Sequence, residues 1–255
     1  VSESPTAPVR YSAHRLATGF PGRSTTHVGM GWSSVYLVQA AGATVLVDTG
    51  PPAYVSLLKA GLAELGLRPG DVTHVLVTHL HWDHVCNFTM FDSAQVVVAE
   101  AELDWASRQP AGTLHVPDVH VEKLQRVRDQ LLLVRDGEQP LPGISVLATP
   151  GHTPGHVAYQ VPTTHGDLLF AGDAVKNRRE LATGEAESTL DPDASRASIL
   201  GLRDRLAGDP GSALVPGHDV RLGWRDGDVT ILEPLDCDVV AYVGEHGAPV
   251  RRSLA

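Results

Sequence analysis

Between Thr78 and Asn87 the chain reads Thr-His-Leu-His-Trp-Asp-His-Val-Cys-Asn, which packs His79, His81, Asp83 and His84 into six positions. Imidazole and carboxylate donors at this density suit zinc and its first-row neighbours. An extended or looped backbone turns successive side chains to opposite sides, so His79 and His81 project together while Asp83 and His84 are displaced from them. The spacing therefore predicts two neighbouring metal positions. A single histidine usually means only a packed or solvated imidazole; three in six residues, interleaved with an aspartate, point to metal chemistry.

Such donors need rigid elements to aim them. Residues 72–77 form a short apolar, β-branched run, the pattern of a buried strand, so the cluster sits just past a strand end. Three later segments repeat that logic. The apolar run 144–148 leads through Gly151 to His152, the run 168–171 through Gly172 to Asp173, and the run 213–215 through Gly217 to His218. Glycine permits the sharp turn that aims the next side chain into a common pocket.

His-x-His-x-Asp-His after a buried strand, followed in order by His152, Asp173 and His218, resembles the metal motif of the metallo-β-lactamase superfamily. The resemblance implies an α/β fold, the four-layer αββα sandwich. It also implies that His79, His81 and His152 hold one ion, that Asp83, His84 and His218 hold the other, and that Asp173 bridges them. Two Zn2+ per chain are expected, with Fe or Mn as alternatives, because imidazole and carboxylate serve all three. The implied reaction is hydrolysis of an ester, thioester or lactone in a small-molecule substrate. A hydroxide formed at the ion pair would be the nucleophile, the first ion the oxyanion electrophile, and Asp83 a ligand that orients the nucleophile and moves its proton. Lys176, three residues after Asp173, would contact substrate or leaving group. Asp48 matches the superfamily's Asp-x-Gly turn and takes a structural role. His156 is expected to support the ligands from outside or simply to pack, since Pro154-Gly155 opposes a helix that would bring His152 and His156 to one ion.

At the bridging position Asp173 resembles the glyoxalase II, lactonase and phosphodiesterase branches rather than true β-lactamases. Lys176 departs from the acyl-homoserine lactonases, which carry tyrosine there. The roughly forty residues after His218 are too few for glyoxalase II's helical substrate domain. Gly70-Asp71-Val72-Thr73, Asn87, Ala148-Thr149-Pro150-Gly151-His152, Asp191-Pro192 and Ser195-Arg196 resemble the subgroup called metallo-β-lactamase-domain-containing protein 1, whose animal member is linked to nuclease activity. The alternatives are thus a phosphodiesterase or nuclease, a mononuclear iron persulfide dioxygenase using His79 and His81, and a non-catalytic module.

The 255 residues suit one large α/β domain spanning 1–255. A formal charge of −10 without a dense Lys/Arg run disfavours nucleic acid, and no apolar stretch is long enough to span a bilayer. Cys86 and Cys237 are too few for a disulfide framework, and the polar residues 1–7 lack the basic and apolar parts of a secretion signal, so a cytoplasmic location is expected. Cys86 reads as a small buried residue. A hairpin is expected over 34–47, and a helix at 52–66 with Tyr54, Leu57, Leu58, Leu62 and Leu65 on one face. A strand at 95–98 and a short helix at 100–108 follow. Another helix opens at Asp191-Pro192, with Ile199, Leu202 and Leu206 at core spacing. The segment 109–120 reads as a loop in which His115 and His120 are solvated.

Overall fold

Val35 and Leu37 face one side of their strand, Tyr36 and Val38 the other, and all four are buried. A strand buried on both faces belongs inside a layered structure, and this alternation recurs in most of the long strands. In the computed structural model, which describes residues 8–26 and 28–254, the strands are β1 (Ser12–Ala17), β2 (Arg23–Ser24), β3 (Val28–Gly29), β4 (Val35–Ala40), β5 (Ala43–Val47), β6 (His74–Leu76), β7 (Gln95–Ala99), β8 (Leu131–Val134), β9 (Ser145–Ala148), β10 (Val157–Thr163), β11 (Gly166–Gly172), β12 (Ala213–Pro216), β13 (Leu222–Arg225), β14 (Asp228–Ile231), β15 (Asp238–Ala241) and β16 (Val250–Ser253). The helices are α1 (Val55–Glu64), α2 (Trp82–Val85), α3 (Glu100–Ser107), α4 (Asp118–Arg126), α5 (Arg178–Thr183) and α6 (Pro192–Gly208). Residues 1–7, used above for the absence of a secretion signal, lie outside the described residues.

Two six-stranded sheets carry the fold, ordered β1-β4-β5-β6-β7-β8 and β14-β13-β12-β11-β10-β9. Between them lies an apolar layer that includes Tyr36, Val47, Leu76 and Val97 from the first sheet and Val146, Tyr159, Phe170 and Val215 from the second. The outer face of the first sheet, through Leu37, Leu46, Val75 and Val96, packs on Leu58 and Leu62 of α1 and on Val121 and Leu124 of α4. The outer face of the second, through Leu169, Ala171 and Leu214, packs on Leu181 of α5 and on Ile199, Leu202 and Leu206 of α6. This is the αββα sandwich.

Most expected elements lie where the sequence pattern placed them. Tyr54 ends a short 3-10 turn that leads into α1, and Gly66 follows the helix with φ +72°. Asp191 caps α6, its carboxylate accepting the Ala194 N–H at 3.0 Å. The segment 109–120 is a correction: α4 starts inside it, so His120 lies on a helix and is half-buried, not in a solvated loop. Pro110, Gly112 and Pro117 give the segment its loop reading, whereas the buried residues of α4, Val121 and Leu124, lie just beyond it. At the C-terminal end β15 and β16 pair with each other as a separate ribbon. Among the described residues no helix is long and apolar enough to cross a membrane.

The first outer layer is held by an extended apolar cluster in which Leu58 of α1 takes part. Leu58 is fully buried, so Leu58→Ala should lower unfolding free energy by about 2–5 kcal/mol, read as a lower denaturant midpoint at unchanged m value.

Candidate metal centre

Parallel neighbours deliver their C-terminal ends to one edge. β5 and β6 are parallel in the first sheet, as are β11 and β12 in the second. Asp48 follows β5 and the residues 79–84 follow β6, with α2 starting at Trp82; His152 follows β9, Asp173 follows β11 and His218 follows β12. Two glycines make the approach possible. Gly151, at φ +134°, has no room for a Cβ against the Ser195 backbone, and a Cβ on Gly217 would overlap Asp173 Oδ1.

The seven side chains named from the sequence converge. Donor atoms of His79, His81 and His152 lie within 4.8 Å of one another, and so do those of Asp83, His84 and His218. Asp173 stands between the sets: Oδ2 is 3.3 Å from His152 Nε2, while Oδ1 is 3.2 Å from His84 Nε2 and 3.3 Å from His218 Nε2. Asp83 Oδ2 is 3.4 Å from His218 Nε2, and His81 Nδ1 is 3.0 Å from His152 Nε2.

The outer ring nitrogens fix which tautomer faces inward. His152 Nδ1 donates to the Ser188 carbonyl at 3.0 Å, His218 Nδ1 to the Trp32 carbonyl at 3.1 Å, and His84 Nδ1 to Asp48 Oδ2 at 2.8 Å. Thr78 Oγ1 donates to Asp48 Oδ2 at 2.8 Å and is thereby free to accept from His79 Nδ1 at 3.1 Å. With each proton on the outer nitrogen, the inner Nε2 presents a lone pair. His79 Nε2, His84 Nε2 and Asp173 Oδ1 are buried without a hydrogen-bond partner, although His84 Nε2 and Asp173 Oδ1 lie only 3.2 Å apart. Two acceptors at that distance do not form a hydrogen bond with each other. A cation among them satisfies all three, so the donor set fits divalent metal.

Protonation tendencies divide the cluster. Burial holds His79 and His152 well below the ordinary imidazole range and His81 at about 4, so these three are neutral donors. Burial also opposes charge on His84 and His218, but it is outweighed by carboxylates, Asp173 first in both cases, which leaves both raised. Asp173 is itself pushed up by burial, yet His218, His84 and His152 overcome that and keep it ionised.

The residues around the ligands act through them. Asp48 accepts the Thr78 N–H at 2.8 Å as well as the bonds above, the structural role expected for it. His156 is not among the converging donors: its Nε2 accepts the backbone N–H groups of Asp173 and Ala174 at 3.0 and 3.2 Å, and burial keeps it neutral at about 3. Cys86 is buried, with its thiol pushed up to about 11 by burial and then by Asp83. His115 is exposed but stacks its ring 5.4 Å from that of His81, and its carbonyl accepts the Trp82 N–H at 3.0 Å. Lys176 Nζ sits 3.1 Å from Glu180 Oε1, at 13% side-chain exposure, so its charge is paired inside the protein. Sequence reasoning missed the Trp32 and Ser188 carbonyls and the Arg178–Asp219 pair, which braces the residue after His218 through contacts of 2.8 and 2.6 Å. Backbone acceptors carry no residue-type signal, and Arg178 and Asp219 are 41 residues apart, beyond what local spacing can join.

An αββα sandwich with imidazoles and carboxylates converging at the strand ends defines a metal-dependent hydrolase. The chain belongs to the metallo-β-lactamase superfamily, whose sequence model matches residues 29–218. It is 32% identical over 214 residues to metallo-beta-lactamase domain-containing protein 1 of Xenopus laevis, across 82% of this chain and 79% of that protein. Among solved structures it is similar to a B. thuringiensis AiiA mutant with N-decanoyl-L-homoserine bound at the active site, at TM-score 0.64 and 21% identity, covering 84% of this chain and 95% of that one. AidC, a dizinc quorum-quenching lactonase in complex with a product, matches at TM-score 0.65 and 17% identity over 80% of each chain.

A proton and a cation compete for the same lone pairs, so metal that fills this centre leaves as the pH falls. Elemental analysis of metal-loaded protein dialysed at stepped pH from about 8 to about 4 should show metal per chain falling across that range, and His218→Ala should lose metal at higher pH than the wild type. Metal content independent of both pH and the substitution would contradict ligation by these imidazoles.

Proposed function

We propose that this protein is a dinuclear zinc-dependent hydrolase of an ester, thioester or lactone bond in a small molecule. The observation that supports it best is the split of Asp173, whose two oxygens face separate imidazole sets. A one-metal site has no use for the second set. His79, His81 and His152 would hold one ion, Asp83, His84 and His218 the other, and Asp173 would be shared. When bound, such an ion pair supplies an activated water near neutral pH and an electrophile for the carbonyl oxygen.

The chain's own groups do the rest. Asp83, with its carboxylate 12% exposed, is the acid–base group at the opening and accepts the proton of the attacking water. Asp48, directly and through Thr78, holds the outer ring nitrogens of His84 and His79 and so aims their inner nitrogens. Lys176 can meet a substrate only by loosening its pair with Glu180, so a contact from it belongs to a bound state. Acyl chemistry is favoured over phosphodiester chemistry by the lactonases among the structural neighbours and by the −10 charge, which repels polyanions.

The test starts with metal content per chain, followed by parallel assays on lactone, thioester and phosphodiester reporters. Two zinc equivalents with acyl turnover that chelation removes and zinc restores are expected. One iron with the second set empty, or turnover confined to phosphodiesters, would overturn the reading. Asp83→Asn should lower kcat about 10²–10⁴-fold.

A further inference from the structure

Glu102 is a carboxylate with no exposure, set on α3 behind the metal centre and joined to no lysine, arginine or histidine by any ion pair among the described residues. Its bonds go instead to two turns. Oε1 accepts the Leu80 N–H at 2.8 Å and Oε2 the Thr153 hydroxyl at 2.7 Å, and the Gly155 N–H also points to it. Leu80 lies between His79 and His81, and Thr153 follows His152. A Cβ on Gly155 would overlap the Glu102 backbone, so the turn after His152 is packed directly onto α3.

The two turns come from different sheets, one after β6 and one after β9. The Val157 N–H to Thr78 carbonyl bond at 3.0 Å joins the start of β10 to the residue before His79, whereas Glu102 reaches Leu80 and Thr153 within the two turns. Burial pushes the Glu102 carboxyl up to about 7, against the pull of those three donors. A buried carboxylate without a counter-charge is unfavourable in a core, and an apolar residue would have filled the same space. Its place is explained by what its two oxygens hold apart.

We propose that Glu102 is a positioning residue that sets the spacing of the His79–His81 turn and the His152 turn, and so the affinity of that three-imidazole position, without touching ion or substrate. This rests on the reading that those imidazoles hold an ion. Glutamine at 102 keeps the shape but replaces a carboxylate that accepts from both turns by a neutral amide with one acceptor oxygen, so the Thr153 hydroxyl must reverse and both anchors become weaker. Outer partners of metal ligands typically control affinity by about 10–100-fold.

The decisive measurement is titration of metal-free protein with Zn2+ against a chromophoric chelator, resolving two affinities. His152→Ala and His218→Ala identify which affinity belongs to which position, and Co2+ absorption reports ligand geometry. Glu102→Gln should weaken the His79/His81/His152 position about 10–100-fold and alter its cobalt spectrum, with the other position within about 3-fold of wild type. Thr153→Val, which removes a single hydroxyl, should give a smaller effect of the same selectivity and serves if Glu102→Gln does not fold. Unchanged affinities, or equal weakening of both positions together with a lower Tm, would overturn the positioning role while leaving the two-ion reading intact. Wild-type protein that binds no ion would overturn both.

Discussion

A buried carboxylate surrounded by imidazole lone pairs is the constraint on which the rest of the structure depends. Asp173 lies 3.2–3.3 Å from three inner ring nitrogens whose protons are held on the far side of each ring. Such an arrangement repels itself unless positive charge enters it, as protons or as metal. The groups around it hold one proton on the outer nitrogen of each ring: Asp48 behind His84, the Ser188 carbonyl behind His152, the Trp32 carbonyl behind His218, and Thr78 behind His79. The fold stores a preference for a cation by denying the histidines their alternative tautomer.

The sandwich makes that storage affordable because each ligand leaves a strand whose body is locked in an apolar layer. β6 and β11, which precede the His79–His84 cluster and Asp173, place Leu76 and Phe170 in the layer between the sheets. The turns beyond them inherit that rigidity. Gly217 lets the strand after Asp173 come close enough for its carboxylate to be shared, and His156 grips the Asp173 and Ala174 amides from behind.

How much of this was legible in the sequence depended on where the information is stored. The candidate ligands were legible because side-chain identity and strand-glycine-donor order are local: His79 to His84 lie in six residues, and His152, Asp173 and His218 each follow an apolar run. The four layers were legible only through the resemblance that the ligand motif carries; the unbroken apolar run at 35–38 marks a strand, and the structure shows that both its faces are buried. α4 was not, because Pro110, Gly112 and Pro117 precede it and its inner face, Val121 and Leu124, lies past the segment read as a loop. Nor were the supports at Trp32, Ser188 and Glu102, which are 186, 36 and 22 residues from the positions they hold, and two of which act through backbone carbonyls. The pairing of Lys176 with Glu180, four residues on, was within reach of sequence spacing but was masked by the surrounding charges.

Two of the five converging histidines are oriented by main-chain oxygens, those of residues 32 and 188. A peptide carbonyl is the same in every amino acid. The side chains at these positions can therefore change identity, and with it the shape and polarity of the approach to the centre, while the bonds that aim His218 and His152 persist. Variation in what enters the site is thereby uncoupled from the machinery inside it, and one scaffold of this kind can be retuned to new compounds by changes at such positions.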